Sequence, residues 1–226
     1  MEQQAAPQPS PRLRPPPVAA TSAADGVGAD ASSEPWWRRK RPRRPPPPPE
    51  ADAEAVKAEA LELMAAHPVL PRLVVFDLDH TLWPFQCDRL PKDEVPYLYP
   101  QARGILNALK DRGIEIAIAS RASRKKGVAK AFLEKLGIHF LFGAQEIFYT
   151  WSPKSEHFQS LRRKTGVPYK YMLFFDDEIR NILATRKLGV SCVLVEKGIT
   201  LDKLRTGLST CYAKSSASPN AEPAEC

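Results

Sequence analysis

Leu73-Val74-Val75-Phe76-Asp77-Leu78-Asp79-His80-Thr81 is the stretch that decides the fold. Its first four residues are an unbroken run of β-formers, and two carboxylates follow at once. An apolar run without polar alternation belongs to a strand buried on both faces, the usual condition in a parallel sheet. Similar runs cover residues 114–119, 171–175 and 192–195, with a weaker one over 140–149. Helical patterns alternate with them, ending at Lys110-Asp111-Arg112-Gly113, Leu133-Glu134-Lys135-Leu136-Gly137, Arg162-Arg163-Lys164-Thr165-Gly166 and Arg186-Lys187-Leu188-Gly189. Each places a cation in its last turn, at the negative end of the helix dipole. Each also has a glycine just after, where left-handed backbone is needed. A chain of alternating strands and helices predicts an α/β three-layer sandwich with right-handed crossovers. Such sheets bind ligands beyond the carboxyl ends of their strands.

The rest of the chain is organised around that block. Thirteen of the 23 prolines fall in the first 50 residues, too polar and Pro-rich a composition to build a core, so residues 1–49 are expected to be disordered. They contain Trp36-Trp37-Arg38-Arg39-Lys40-Arg41-Pro42-Arg43-Arg44. That run reads as a nuclear-localisation patch, a nucleic-acid contact, part of a transit peptide, or equally a solvated basic linker. Glu2, Asp25, Asp30 and Glu34 weigh against the transit peptide. Residues 50–66 are Ala/Glu/Leu-rich and predict a helix or linker that Pro68 and Pro71 terminate. The folded domain is expected over 67–213, with a flexible tail over 214–226.

The formal charge is +7. Residues 1–66 carry nine Lys/Arg and nine Asp/Glu, whereas 67–226 carry 24 and 17, so the whole excess lies in the domain. That suits an anionic substrate and suits an ordinary charged surface equally well. No apolar run reaches the roughly 18 residues of a membrane span. Cys87, Cys192, Cys211 and Cys226 form no CxxC pair, which argues against a zinc site. With no continuous apolar leader segment, the expectation is reduced thiols in an intracellular compartment. The cytoplasm comes first among compartments, with nuclear or organellar placement open through the basic run.

The chemistry gathers at the strand ends. Side chains two apart on extended chain face the same way, so Asp77 and Asp79 are offered together, with the Thr81 hydroxyl just beyond. A second acidic run, Asp176-Asp177-Glu178, follows the strand over 171–175. Three acids beside a buried strand repel one another unless a cation joins them. Oxygen-only ligation by Asp77, Asp79 and Asp177 favours Mg²⁺. The alternative is that the three acids merely open the next helix, and both can hold at once, with Glu178 capping and Asp177 on the metal. Ser120 ends the second strand and Arg121 follows. Ser120 can donate to a phosphate oxygen or cap a helix, as Ser123 can. Lys154, near a helix start, is misplaced for the dipole, which points to an anionic partner. Taken alone, it reads as a surface residue.

Together these motifs resemble those of the haloacid-dehalogenase (HAD) phosphatase superfamily. Asp77, Asp79 and Thr81 match its first motif, Ser120 the second, Lys154 the third, and Asp176 with Asp177 the fourth. The runs Val75 to Phe85, Ala119-Ser120-Arg121, Lys154 with His157 and Phe158, and Phe174 to Asn181 resemble the eukaryotic magnesium-dependent phosphatase subfamily. The resemblance covers about residues 70–213.

It implies a HAD-like Rossmannoid fold and a Mg²⁺-dependent phosphomonoester hydrolase. Asp77 would be the nucleophile and Asp79 the acid and base. Mg²⁺ would be held by Asp77, the carbonyl of Asp79, Asp177 and waters. Leu78, Ser120, Arg121, Lys154 and Gln86 would bind substrate, with Asp176 orienting Lys154 and Thr81 supporting the loop. Gln86 stands where the family usually carries an aromatic residue. Neither the stretch between Trp83 and Tyr99 nor that between Ser120 and Lys154 has room for a full cap domain. The site is therefore expected to be open to a phosphorylated small molecule, such as a phosphosugar, or to a phosphoprotein, including protein phosphotyrosine. The alternatives are a phosphate-binding module without turnover and a nucleic-acid-end phosphatase. The oligomeric state is not readable from the sequence.

Overall fold

A computed structural model describes residues 51–121, 127–150 and 152–216. Ser123, the Trp/Arg run and the end of the tail lie outside the described residues. Five strands, β1 (Leu73–Phe76), β2 (Glu115–Arg121), β3 (Ala144–Phe148), β4 (Met172–Asp176) and β5 (Ser191–Leu194), form one parallel sheet in the order β3-β2-β1-β4-β5. Among the described residues six helices accompany them: α1 (Ala53–Ala65), α2 (Ala102–Asp111), α3 (Val128–Lys135), α4 (Lys154–Thr165), α5 (Ile179–Arg186) and α6 (Leu201–Ser216). The α/β sandwich read from the sequence is the observed one. The helix-ending glycines 113, 137, 166 and 189 all have positive φ, the conformation that a residue without Cβ adopts at no steric cost.

Alternate side chains of β1 go to opposite faces of the sheet. Val74 and Phe76 join a core with buried residues of α1, α2, α3 and α6, whereas Leu73 and Val75 join one with α4 and α5. β1 is therefore apolar throughout because it is covered on both sides. Its register matters for the site. Phe76 pairs with Ile118 on β2 and with Phe175 on β4. One step on, Asp77 stands level with Ala119 and Asp176, at the carboxyl ends of three neighbouring strands.

The start of the folded unit differs from the sequence expectation. The helix over 53–65 forms as read, and Asp52 caps it by accepting from the backbone N–H groups of Glu54 and Ala55 at 3.0 and 3.4 Å. It is not a linker, however. Val56, Ala60 and Met64 lie four apart on one face and are buried in the larger core against α2. At Gly104 of α2, an added Cβ would come within 2.6 Å of the Val56 side chain. Only glycine allows so close an approach of α1 to α2. The unit begins before residue 67 because the outer face of α2 needs this cover. At the other end, helix α6 continues through Ser216, past the expected onset of the tail at 214.

Two segments lie over the carboxyl edge of the sheet. Between Trp83 and Tyr99 there is one short 3₁₀ turn, Cys87–Arg89. Between β2 and α4 come only α3, a second 3₁₀ turn and β3 among the described residues. Among the described residues, neither segment forms a cap domain.

Candidate active site

At the end of β1 the chain reverses within a few residues. The carbonyl of Leu78 accepts from the backbone N–H groups of Thr81, Leu82 and Trp83 at 3.3, 2.9 and 3.3 Å. His80 takes a φ of 57°, uncommon for a residue with a side chain. This turn fixes Asp77 and Asp79 over the sheet edge. The indole N–H of Trp83 donates to Oδ1 of Asp79 at 2.7 Å, and the backbone N–H of Cys87 donates to the same oxygen at 3.1 Å. Burial raises the pKa of Asp79, and these donors pull against it. Burial also raises that of the Cys87 thiol, with the neighbouring Asp79 charge adding to it. Cys87, Cys192 and Cys211 are all buried.

Lys154 ties the three central strands together. The first residue of α4, it is 1% exposed. Its Nζ donates to Oδ1 of Asp77 at 2.6 Å, pairs with Oδ2 of Asp176 at 3.2 Å, and donates to the carbonyl of Ala119. One ammonium therefore reaches β1, β4 and β2. Burial alone would lower its pKa, but the carboxylates of Asp77 and Asp176 outweigh that and raise it. The surface placement that this lysine suggests in isolation is thus corrected. A buried ammonium requires paired charges, and two carboxylates supply them.

The carboxylates are not fully compensated in return. Burial raises the pKa of Asp77 against the pull of Lys154, and the charges of Asp79 and Asp177 add to the rise. Burial and the nearby Asp77 push Asp176 up to about 6. Burial and Asp176 also raise Asp177. Asp176 accepts from the backbone N–H of Glu178 at 2.7 Å and from Nδ2 of Asn181 at 3.0 Å, which orients it toward Lys154.

Asp77, Asp79, Gln86, Ser120, Arg121, Lys154 and Asp177 line one cleft of about 250 Å³ at the carboxyl edge. The structure thus brings most of the expected residues together. Three others stand behind that surface. Asp176 is completely buried under Lys154. Thr81 is also buried, its hydroxyl has no hydrogen-bond partner, and its carbonyl accepts from the N–H of Ile199 at 3.0 Å. The Leu78 side chain belongs to the apolar core, so a part in substrate binding would fall to its backbone. Among the described residues Ser120 caps no helix, since α3 starts after Gly127.

Glu178 stands at the N-cap position of α5 without a side-chain capping bond, correcting the capping expectation. Its carboxylate goes instead to Nη2 of Arg121 at 2.7 Å and to Nε and Nη2 of Arg180 at 2.7 and 2.9 Å. Burial pushes its pKa up, but the two arginines outweigh that and hold it below the ordinary value.

His157 plays a part that its sequence position does not disclose. It is buried, stacks on Phe148 at 3.9 Å, and has Nε2 3.1 Å from the carbonyl of Ser120. Burial and the Lys154 charge lower its pKa to about 4, so it is neutral near pH 7. A neutral imidazole donating from Nε2 to that carbonyl fixes the end of β2 that carries Ser120. Lys154 and His157 lie three apart and so share a helix face, in keeping with the Lys154, His157 and Phe158 set quoted above, whose sequence gives no role for the imidazole.

The residues present suit a small divalent cation. Oxygen donors converge, their charge exceeds what Lys154 offsets, and Asp77 and Asp177 line the same cleft. Among the described residues, no three His, Cys, Asp or Glu side chains are grouped to hold a metal. Mg²⁺ needs no such group, because it commonly takes one or two carboxylates and keeps several waters.

Comparison with known proteins agrees with this geometry. The acid phosphatase family model matches residues 91–214, more than half of the chain. Human "Magnesium-dependent phosphatase 1" is 39% identical over 165 residues, covering 66% of this chain and 92% of that protein. A HAD-like hydrolase superfamily protein of Schizosaccharomyces pombe is 31% identical over 144 residues, covering 54% of this chain and 83% of its own. The crystal structure of a HAD-superfamily hydrolase from Ehrlichia chaffeensis shares the fold. Its TM-score is 0.51 at 15% identity, over 63% of this chain and 98% of that one. No helix among the described residues is long and apolar enough to cross a membrane. The chain belongs to the acid phosphatase family and is a phosphatase of the HAD superfamily.

Proposed function

We propose that this protein is a Mg²⁺-dependent phosphomonoester hydrolase that works through an aspartyl-phosphate on Asp77. The observation that carries this reading is the Lys154 bridge, which holds Asp77 by Oδ1 beneath an acidic cleft. We assign the attack on phosphorus to Oδ2. The new Oδ2–P bond forms as the bond to the leaving oxygen breaks, and Asp79 gives that oxygen its proton. Asp79 then takes a proton from water, whose oxygen attacks phosphorus and releases Asp77. Ser120 and Arg121 would bind the phosphoryl oxygens, where negative charge accumulates, and the charge of Lys154 would act on them from beneath Asp77. Asp77, Asp177, the Asp79 carbonyl and waters would hold Mg²⁺. The ion would offset repulsion between nucleophile and phosphate. Gln86 lines the same cleft. With no cap domain among the described residues, the opening suits protein phosphotyrosine or phosphosugar substrates.

The metal assignment is checked without relying on turnover. Mg²⁺ binding only the folded state stabilises it by mass action, about 2.7 kcal/mol at a hundredfold excess over Kd. Melting curves of the EDTA-treated protein should therefore rise by several degrees on adding Mg²⁺, and Asp177→Ala should lose that rise along with activity. Full hydrolysis of an aryl phosphate in EDTA, or a rise that persists unchanged in Asp177→Ala, would sink the assignment.

The two N–H donors on Oδ1 of Asp79 leave Oδ2 as the oxygen that carries the transferable proton. Trp83→Phe keeps the ring between Phe85 and Phe132 but removes the donor. The expected loss in kcat is about tenfold for an alkyl phosphate, with a much smaller loss for p-nitrophenyl phosphate, whose leaving group needs little protonation. Equal losses for both substrates would assign Trp83 to packing alone.

A further inference from the structure

Asn181, in the first turn of α5, takes part in no step of the chemistry above, yet it is only 4% exposed and sits where two sets of charges meet. One set is Asp77, Lys154 and Asp176, which ties the nucleophile to the sheet. The other is Arg121 and Glu178, paired at 2.7 Å. Asn181 reaches both. Its Nδ2 lies 3.0 and 3.1 Å from the two oxygens of Asp176 and 3.1 Å from Oε2 of Glu178. Its Oδ1 accepts from Nη2 of Arg121 at 3.4 Å.

The chemistry of the side chain suits all three neighbours. Ionised Asp176 and Glu178 offer acceptors only, so a group between them must donate to each. Arg121 offers donors only, so the same group must also accept. A carboxamide does both, with two N–H donors on its nitrogen and lone pairs on its oxygen. The partners also fix its orientation, since a flipped amide would set Oδ1 against two carboxylates. A leucine of similar shape would fill the space and do neither. Asp176, which is completely buried, would then lose a donor that water cannot replace.

We propose that Asn181 is a positioning residue that holds Arg121 and Asp176 in a fixed relation, so that phosphate binding at Arg121 and the hold of Lys154 on Asp77 depend on one side chain. The inference rests on the phosphatase reading above and deepens it. Oδ1 of Asn181 steadies the Nη2 corner of Arg121. Its Nδ2 steadies Asp176, whose Oδ2 pairs with Lys154 at 3.2 Å. Through Lys154 this second effect reaches Oδ1 of Asp77, 2.6 Å from the ammonium.

The test uses the full chain with Mg²⁺ in four forms: wild type, Asn181→Leu, Arg121→Gln and the double variant. Each is titrated with inorganic phosphate by calorimetry and assayed on phenyl phosphate. Asn181→Leu should lower kcat about tenfold, the order expected of a hydrogen bond to a charged group. It should raise the phosphate Kd about fivefold, a smaller effect because the bond to Arg121 is the longest of the four. In the Arg121→Gln background the same substitution should change Kd by less than about twofold, because the residue it acts through is gone. It should still lower kcat about tenfold there, because Asp176 remains. A residue that merely packs the start of α5 would give the same Kd loss in both backgrounds. If Asn181→Leu does not melt cooperatively, Asn181→Ser, smaller and polar, takes its place in the cycle. Absence of turnover in the wild type would count against the phosphatase reading and leave the phosphate titrations to judge Asn181. A Kd or a kcat close to wild type in folded Asn181→Leu, or a Kd loss that recurs in full without Arg121, would overturn the proposal.

Discussion

Asp77→Asn should abolish turnover of every phosphomonoester, by about 10⁴-fold or more, and leave the protein folded. The amide matches the carboxylate in shape but has no anionic oxygen to attack phosphorus. The fold is not at risk from the change. Lys154 keeps Asp176 at 3.2 Å and the Ala119 carbonyl as partners. Substitution also removes one charge from a site where Asp77, Asp79 and Asp177 repel one another. The melting temperature should therefore stay level or rise in the absence of Mg²⁺. The check is a steady-state assay beside a melting curve on one preparation. Activity within tenfold of wild type from a homogeneous variant would mean that another group attacks phosphorus.

Removal of residues 1–66 has the second large effect, on stability. The deletion takes away α1, and with it Val56, Ala60 and Met64 from the main core. Truncating a buried Met alone costs about 2–5 kcal/mol, and typical domains have only about 5–15 kcal/mol in total. The 67–226 fragment should be insoluble or lack a cooperative melt. A 46–226 fragment retains α1. That fragment should melt cooperatively and hydrolyse small phosphoesters at close to the rate of the full chain. A folded, active 67–226 protein would show that α1 is dispensable.

The strands were legible because burial on both faces writes itself as unbroken apolar sequence, and the helix ends because each carries a cation and a glycine. Asp77, Asp79, Ser120 and Asp177 were legible for the same reason, since each sits at a strand end. Helix α1 was readable as a helix but not as core, because Val56, Ala60 and Met64 are spread among glutamates and small residues. Their spacing of four was the available clue. Lys154 gave no hint of burial, since a lysine after Ser-Pro is commonly solvated. What buries it is the convergence of three strand ends far apart in sequence. The Arg121–Glu178–Arg180 cluster lay out of reach for a similar reason. Glu178 reads as a helix cap until the fold brings Arg121 alongside it from another strand.

The central claim is that Asp77 carries phosphate covalently. The most direct measurement mixes enzyme, Mg²⁺ and an aryl phosphate on the millisecond scale, quenches the mixture in borohydride and maps the peptides. Borohydride reduces an acyl phosphate to the alcohol, so a phosphorylated aspartate is recovered as homoserine. The expected result is homoserine at position 77 in the wild type and none in Asp77→Asn. Homoserine at another aspartate, or a full burst of released phenol with no reduced residue at all, would contradict it.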